Sequence, residues 1–198
     1  SLEYAITNDF PITSNSWGGG SNSQALANMI TTAEQNNQLF VAAAGNYSRD
    51  NDTTPFYPAS YTHDNVISVG ASNSFDQMSY FSHYGLTSVD VFAPGSGIYS
   101  TEPFAITPSG YDYKSGTSMA TPHVAGLAAL ILSECSDLSY ADVKAQIMNN
   151  VDALPAFDGK CVSNGRINAF LALSNSTCCD VVADFSVPAT VCENTSFS

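Results

Sequence analysis

Ser115-Gly116-Thr117-Ser118-Met119-Ala120-Thr121-Pro122-His123-Val124-Ala125-Gly126 runs straight into Leu127-Ala128-Ala129-Leu130-Ile131-Leu132. The first residues are small and polar, and the segment that follows is apolar on every side. A helix without a polar face belongs inside a protein, so the stretch predicts an interior helix wedged between other elements and entered through a glycine-bearing turn. Ser118 then lies in the first turn. Amides there have no intrahelical partner, and the helix dipole adds positive potential. A serine oxygen at that point can attack a carbonyl while nearby donors receive the negative charge that develops. Pro122 fits the opening of a helix, where a missing N–H costs little. Gly126 lets another backbone pass close by.

The rest of the chain is consistent with a globular host for that helix. Its 198 residues can bury one substantial core, and 44% hydrophobic with 12% charged residues argues against disorder. The net charge of −13, from 18 acidic against 5 Lys and Arg residues, argues against a nucleic-acid partner, because phosphate binding needs clustered cations. It favours solubility and leaves carboxylates that could hold calcium. No segment approaches the ~20 apolar residues of a membrane span. Five cysteines (Cys135, Cys161, Cys178, Cys179, Cys192) lack metal-type spacing. In an extracellular protein disulfides are expected, with Cys135–Cys161 the preferred pair.

Upstream, Ile12 to Trp17 reads as a short strand that stops at Gly18-Gly19-Gly20. Ser21 or Asn22 caps a helix to about Asn37, with Leu26, Met29, Ile30 and Ala33 on its buried face. Leu39 to Ala44 is a continuous apolar run, as a central parallel strand requires. Strand, helix, strand in this order is a βαβ unit, and the fold class is α/β. Asn46 follows Gly45 at the carboxyl end of that strand, where α/β proteins place their ligands, and its amide can donate to an oxyanion. Asn65 to Ala71, Met78 to Ser82 and Val89 to Ala93 read as further strands, and Thr101 to Tyr113 as a loop or hairpin. Ser139 with Asp142 resembles a capping box that opens another helix.

Gly116 to Gly126 resembles the nucleophile motif of the subtilisin-like serine proteases, the subtilases. The match extends through Asn15-Ser16-Trp17-Gly18, Ala43-Ala44-Gly45-Asn46, Tyr57-Pro58-Ala59, Phe92-Ala93-Pro94-Gly95 and a closing Gly165-to-Leu173 helix. The resemblance implies a three-layer fold with a mostly parallel central sheet, of which residues 1–173 form the C-terminal part. It implies Ser118 as nucleophile, with Asn46 and the Ser118 amide as oxyanion donors. Ser16, Trp17, Gly18, Ala44 and Gly45 would bind extended substrate, with Phe56 and Trp17 giving an apolar preference. His123 is implied to be a packing or hydrogen-bonding residue of the helix. A weak calcium site is implied near the carbonyls of Ala59 and Tyr61, with Asp64 and Asp76 as nearby carboxylates; the chemistry itself needs no cofactor.

The family order places a catalytic Asp and His before the substrate-pairing strand. Only Ser1 to Pro11 precedes it here, and neither Asp9 nor His63, His83 or His123 lies in the family context. The expectation is therefore a fragment of a secreted, monomeric endopeptidase that acts on proteins or peptides, inactive alone. His63 and His83 read as surface or loop residues. Residues 174–198 read as a linker and the first strands of a PKD-like β-sandwich. The alternative is a non-catalytic relative that keeps the peptide groove for binding. An esterase of the α/β-hydrolase type is disfavoured, because Ala120 stands where the Gly-x-Ser-x-Gly elbow needs its last glycine.

Overall fold

The computed structural model describes residues 1–175. The expected PKD-like segment lies outside the described residues apart from its first two positions. A six-stranded sheet carries the fold, in the order β1-β2-β3-β4-β8-β7. Strands β1 (Ile12–Asn15), β2 (Leu39–Ala43), β3 (Val66–Ser72) and β4 (Val91–Pro94) pair in parallel. β8 (Gly165–Ile167) continues the parallel set, and β7 (Val151–Ala153) closes it antiparallel. β5 (Ile98–Thr101) and β6 (Tyr111–Lys114) form a separate antiparallel hairpin, resolving the 101–113 region as one.

Side-chain alternation along β2 distributes the core between two faces. Leu39 and Val41 join Ile67, Val69 and Val91 beneath α3 (Thr117–Glu134), which inserts Ala120, Val124, Leu127, Ala128 and Ile131. α4 (Tyr140–Asn149) and α5 (Ala169–Ser174) extend that layer through Val143, Ile147 and Ala172. Phe40, Ala42 and Val66 face the opposite layer, where Ile30 of α2 (Gln24–Gln35) packs with Ala59 and Tyr61. The outcome is helix, sheet and helix in three layers. All twelve residues of β2 and β3 are buried, as in parallel strands covered on both sides, and the polar ones in β3, Ser68 and Ser72, are buried too.

Several elements depart from the sequence expectation. α2 is capped by Ser23, whose hydroxyl accepts from the Leu26 amide, and so starts later than a cap at Ser21 or Asn22 would place it. A short helix, α1 (Leu2–Thr7), precedes β1. Met78 to Ser82 contributes one bridge to Ser72 and turns instead of a strand. Gly165–Ile167 is a strand, so the closing helix begins only at Ala169, with Asn168 as its cap. The capping box of α4 is fully formed: Ser139 accepts from the Asp142 amide and Asp142 accepts from the Ser139 amide.

α3 is interior on one side only. Pro122, His123, Gly126 and Leu130 face outward, and with Pro94, Ile167 and Ala169 they line a largely apolar groove of about 470 Å³. Cys161 is a buried free thiol, so the expected Cys135–Cys161 bridge does not form. Cys161 sits instead in an apolar cluster with Phe92 and Phe157, and Cys135 is engaged in a contact of its own.

Candidate active site

Three segments distant in sequence meet at the carboxyl ends of β1 and β2. Ser118 is the second residue of α3. Its Oγ donates to the Ser16 carbonyl at 3.2 Å, and Ser16 Oγ donates back to the Ser118 carbonyl at 2.8 Å. The second bond has a local cause. Pro122 is the sixth residue of α3, past the first turn where proline is free of cost, and it has no N–H to donate to the carbonyl four residues earlier. The Ser118 carbonyl is thereby left open, and Ser16 occupies it. A proline thus ties the segment after β1 to the head of α3.

Asn46 is held from one side of its amide. Its Oδ1 accepts from the Thr117 amide at 2.8 Å and from Thr117 Oγ1 at 2.9 Å, and the Gly45 amide lies 3.2 Å from Thr117 Oγ1. With the oxygen doubly occupied, the carboxamide orientation is settled and the exposed Nδ2 is free to donate. The amide of Ser118, in the first helical turn, is the natural companion donor. Both donors lie in one cavity of about 220 Å³, lined by Ser16, Trp17, Gly18, Gly45, Asn46, Phe56 and Ser118 among others.

The turn that carries Asn46 is clamped from behind. His83, fully buried, donates its backbone N–H to the Gly45 carbonyl at 2.9 Å, and its Nδ1 lies 2.7 Å from Asn51 Oδ1. Asn51 Nδ2 donates to the Ala44 carbonyl at 2.9 Å. The amide nitrogen of Asn51 must face a carbonyl, so its oxygen faces His83 and Nδ1 carries the ring proton. Burial, reinforced by the nearby Arg49 charge, lowers the His83 pKa from its ordinary value and so disfavours the charged ring. Gly45 has φ +118°, and a Cβ there would stand 2.5 Å from His83 Nδ1. The glycine is required twice over, by backbone conformation and by space.

The Gly18 edge is equally close-packed. The Gly19 amide donates to the Tyr57 carbonyl at 2.8 Å, and a Cβ on Gly18 would meet the Phe56 ring at 2.4 Å. The Phe56 ring in turn stands edge-on to His83, with centroids 5.1 Å apart. Trp17 is half exposed beside the cavity. Of the expected substrate residues, Ser16, Trp17, Gly18 and Gly45 line the cavity and Ala44 does not. One residue on from Ala43 the strand side chain faces the other way, so Ala43 lines the cavity and Ala44 packs on Phe92, Phe157 and Cys161.

None of the three histidines is hydrogen-bonded to Ser118. His123 Nδ1 pairs with the Met119 carbonyl of its own helix at 2.8 Å, and His63 Nε2 lies 2.9 Å from Thr31 Oγ1. His83 lies in a loop as expected but is buried, which corrects the surface part of that expectation. The metal candidates also separate. Ala59, Tyr61 and Asp64 line a second cavity of about 380 Å³, whereas the Asp76 carboxylate pairs with Arg166, which also binds Asp152. Among the described residues no group of three or more His, Cys, Asp or Glu could hold a metal ion. Thr117 and His83 were not singled out from sequence. Thr117 was visible as the neighbour of Ser118, but nothing local marks His83.

The family model of the subtilase family, Peptidase S8, matches residues 1–169. The chain belongs to the subtilase family. This subtilase is 40% identical over 172 residues to thermitase of Thermoactinomyces vulgaris, covering 87% of the chain and 57% of the relative. It is 40% identical over 171 residues to a thermophilic serine proteinase of Bacillus sp. strain AK1, covering 86% of the chain and 39% of the relative. It therefore spans about half the length, or less, of these relatives. Among solved structures, the prenylagaramide maturation protease PagA aligns with a TM-score of 0.77 at 28% identity, covering 89% of this chain and 66% of that one. A protease of Pseudoalteromonas arctica PAMC 21717 aligns with a TM-score of 0.73 at 30% identity, covering 84% and 51%. The α/β subtilisin-like fold with its mostly parallel sheet is shared with both.

Proposed function

We propose that this chain carries the nucleophile and oxyanion half of a serine endopeptidase. The observation that carries the reading is the convergence of Ser118, the free amide nitrogen of Asn46 and the Ser16–Gly18 edge on one cavity. Extended peptide adds beside Ser16–Gly18. Ser118 Oγ attacks the scissile carbonyl, and the resulting oxyanion is received by Asn46 Nδ2 and the Ser118 amide. Collapse releases the amine and leaves an acyl group on Ser118, which water then removes. The proton taken from Ser118 needs a base. His63, His83 and His123 are each committed elsewhere, so the base and its orienting acid are assigned to parts of the intact protein outside residues 1–175.

Protein or peptide substrates follow from the family, and an extracellular, monomeric enzyme is part of the same reading. The charge of −13 supports the exclusion of nucleic acid. Among the described residues no helix is long and apolar enough to cross a membrane. The half-exposed Trp17 and the Phe56 ring at the cavity support an apolar preference for the residue before the cut.

The test is labelling of the intact protein with a fluorophosphonate, followed by peptide mapping. An adduct on the peptide that contains Ser118, lost in Ser118→Ala, is the expected result. A folded protein that turns over no peptide and takes no adduct at Ser118 would favour the peptide-binding alternative.

A further inference from the structure

The loop that leads into β3 is held by a cation supplied by the chain. Lys144 reaches from α4, and its Nζ donates to the Asp64 carbonyl at 3.2 Å and to the Val66 carbonyl. Asp90 Oδ1 lies 3.7 Å from the same nitrogen, while Asp90 Oδ2 accepts from the Ser68 amide at 2.7 Å. Both side chains are largely enclosed, at 23% and 17% exposure. Burial pushes the Asp90 pKa up, and the Lys144 charge with the Ser68 amide works against that rise.

The second cavity borders this cluster and is lined by Ala59, Tyr61, Asp64, Asp90 and Lys144 among others. The resemblance implies calcium beside this cluster, at the Ala59 and Tyr61 carbonyls with Asp64 and Asp76, and the oxygens gathered around Lys144 do not suit that ion. An ammonium has three donors, and Lys144 faces three oxygens: two carbonyls and one carboxylate. Calcium needs six to eight oxygens at about 2.3–2.6 Å, commonly with several carboxylates among them. Asp90 is the single carboxylate paired with Lys144. Asp52, across the cavity, is occupied by the hydroxyls of Thr87 and Ser88, and Asp76 is paired with Arg166. A divalent ion among these oxygens would also stand against a fixed positive charge.

We propose that Lys144 is the structural cation of this site, its ammonium taking oxygens that would otherwise attract a metal. The 59–66 loop is thereby fastened to β3, Asp90 and α4 without calcium. The consequence is local and independent of catalysis, since other parts of the intact protein are free to bind calcium without changing it.

Hydrogen exchange on the intact protein, followed by mass spectrometry of peptides covering 59–68, reads the site directly. In wild type the exchange of that segment is the same in excess EDTA and in millimolar calcium. In Lys144→Met, which keeps the stem and removes the charge, exchange of 59–68 in EDTA accelerates by about tenfold or more, because Asp90 is left enclosed without its counter-ion. Calcium-dependent slowing of 59–68 in wild type overturns the proposal, and so does a folded Lys144→Met protein that exchanges like wild type. If that variant fails to fold, the wild-type comparison alone decides.

Discussion

Replacing Gly45 with alanine tests whether the turn that carries Asn46 depends on the His83 clamp. Gly45 has φ +118°, a region L residues rarely adopt, and holding alanine there costs about 1–3 kcal/mol. Its Cβ would lie 2.5, 2.6 and 2.8 Å from Nδ1, Cε1 and Cγ of His83. That ring cannot retreat easily, since it is buried, bonded to Asn51 and packed on Phe56. Overpacking of this kind costs a further 1–3 kcal/mol or so. The sum, roughly 2–6 kcal/mol, is a large share of the 5–15 kcal/mol that typically separates folded from unfolded protein. Urea unfolding of the intact protein, with constant m, gives the stability change, and hydrolysis of a chromogenic peptide gives kcat. Displacement of Asn46 should lower kcat by up to about 10²–10³, the loss associated with removing such a donor from subtilisin itself. In a His83→Ala background the steric part disappears and the backbone part stays, so Gly45→Ala should cost about 1–3 kcal/mol less there. A Gly45→Ala shift below about 0.5 kcal/mol, or single effects that simply add, would refute the clamp.

Other expectations can be checked alongside. Asn46→Leu, which keeps the volume and removes the donor, should lower kcat about 10²–10³ with little change in KM, because the oxyanion exists only after attack. His83 is held below 6.5 by burial and Arg49, so the unfolded chain binds its proton more readily; the resulting stability is fully present above about pH 6.5 and declines as pH falls below it. Urea midpoints measured against pH should show that acid limb in wild type and a flatter one in His83→Asn, which retains a polar partner for Asn51. Burial pushes the Cys161 thiol up, so it should resist a thiol-specific chromogenic reagent in the native protein and react once unfolded. Ser139→Ala removes one half of the α4 capping box and should cost about 1 kcal/mol, read as a lower melting temperature.

How much could be read from sequence depended on what each element rests on. β2 is a continuous apolar run because both of its faces are covered, and it is legible for that reason. The Ser118 and Asn46 motifs combine small residues with a polar group at an element end, a pattern that survives without tertiary knowledge. β7 and β8 have three residues each, too few for any periodicity, and they are created by the pairing of β8 with β4 and of β7 with β8. The resemblance implies Ala44 beside Gly45 at the substrate cavity, yet side chains alternate along a strand, and Ala43 lines the cavity instead. His83 sits in a polar stretch whose burial comes from contacts with Gly45, Asn51 and Phe56, distant in sequence. The apolar Leu127–Leu132 segment implied enclosure, whereas among the described residues Leu130 remains half exposed.

The reciprocal bonds between Ser16 and Ser118 span 102 positions of the chain. Between the two partners the chain forms α2 and five strands, β2 to β6, so the contact is one of high sequence separation and costly loop closure. On the function proposed above, cutting power depends on a contact that local folding alone cannot make. On the same proposal, an assay for cleavage would also count the molecules in which this long-range contact has closed.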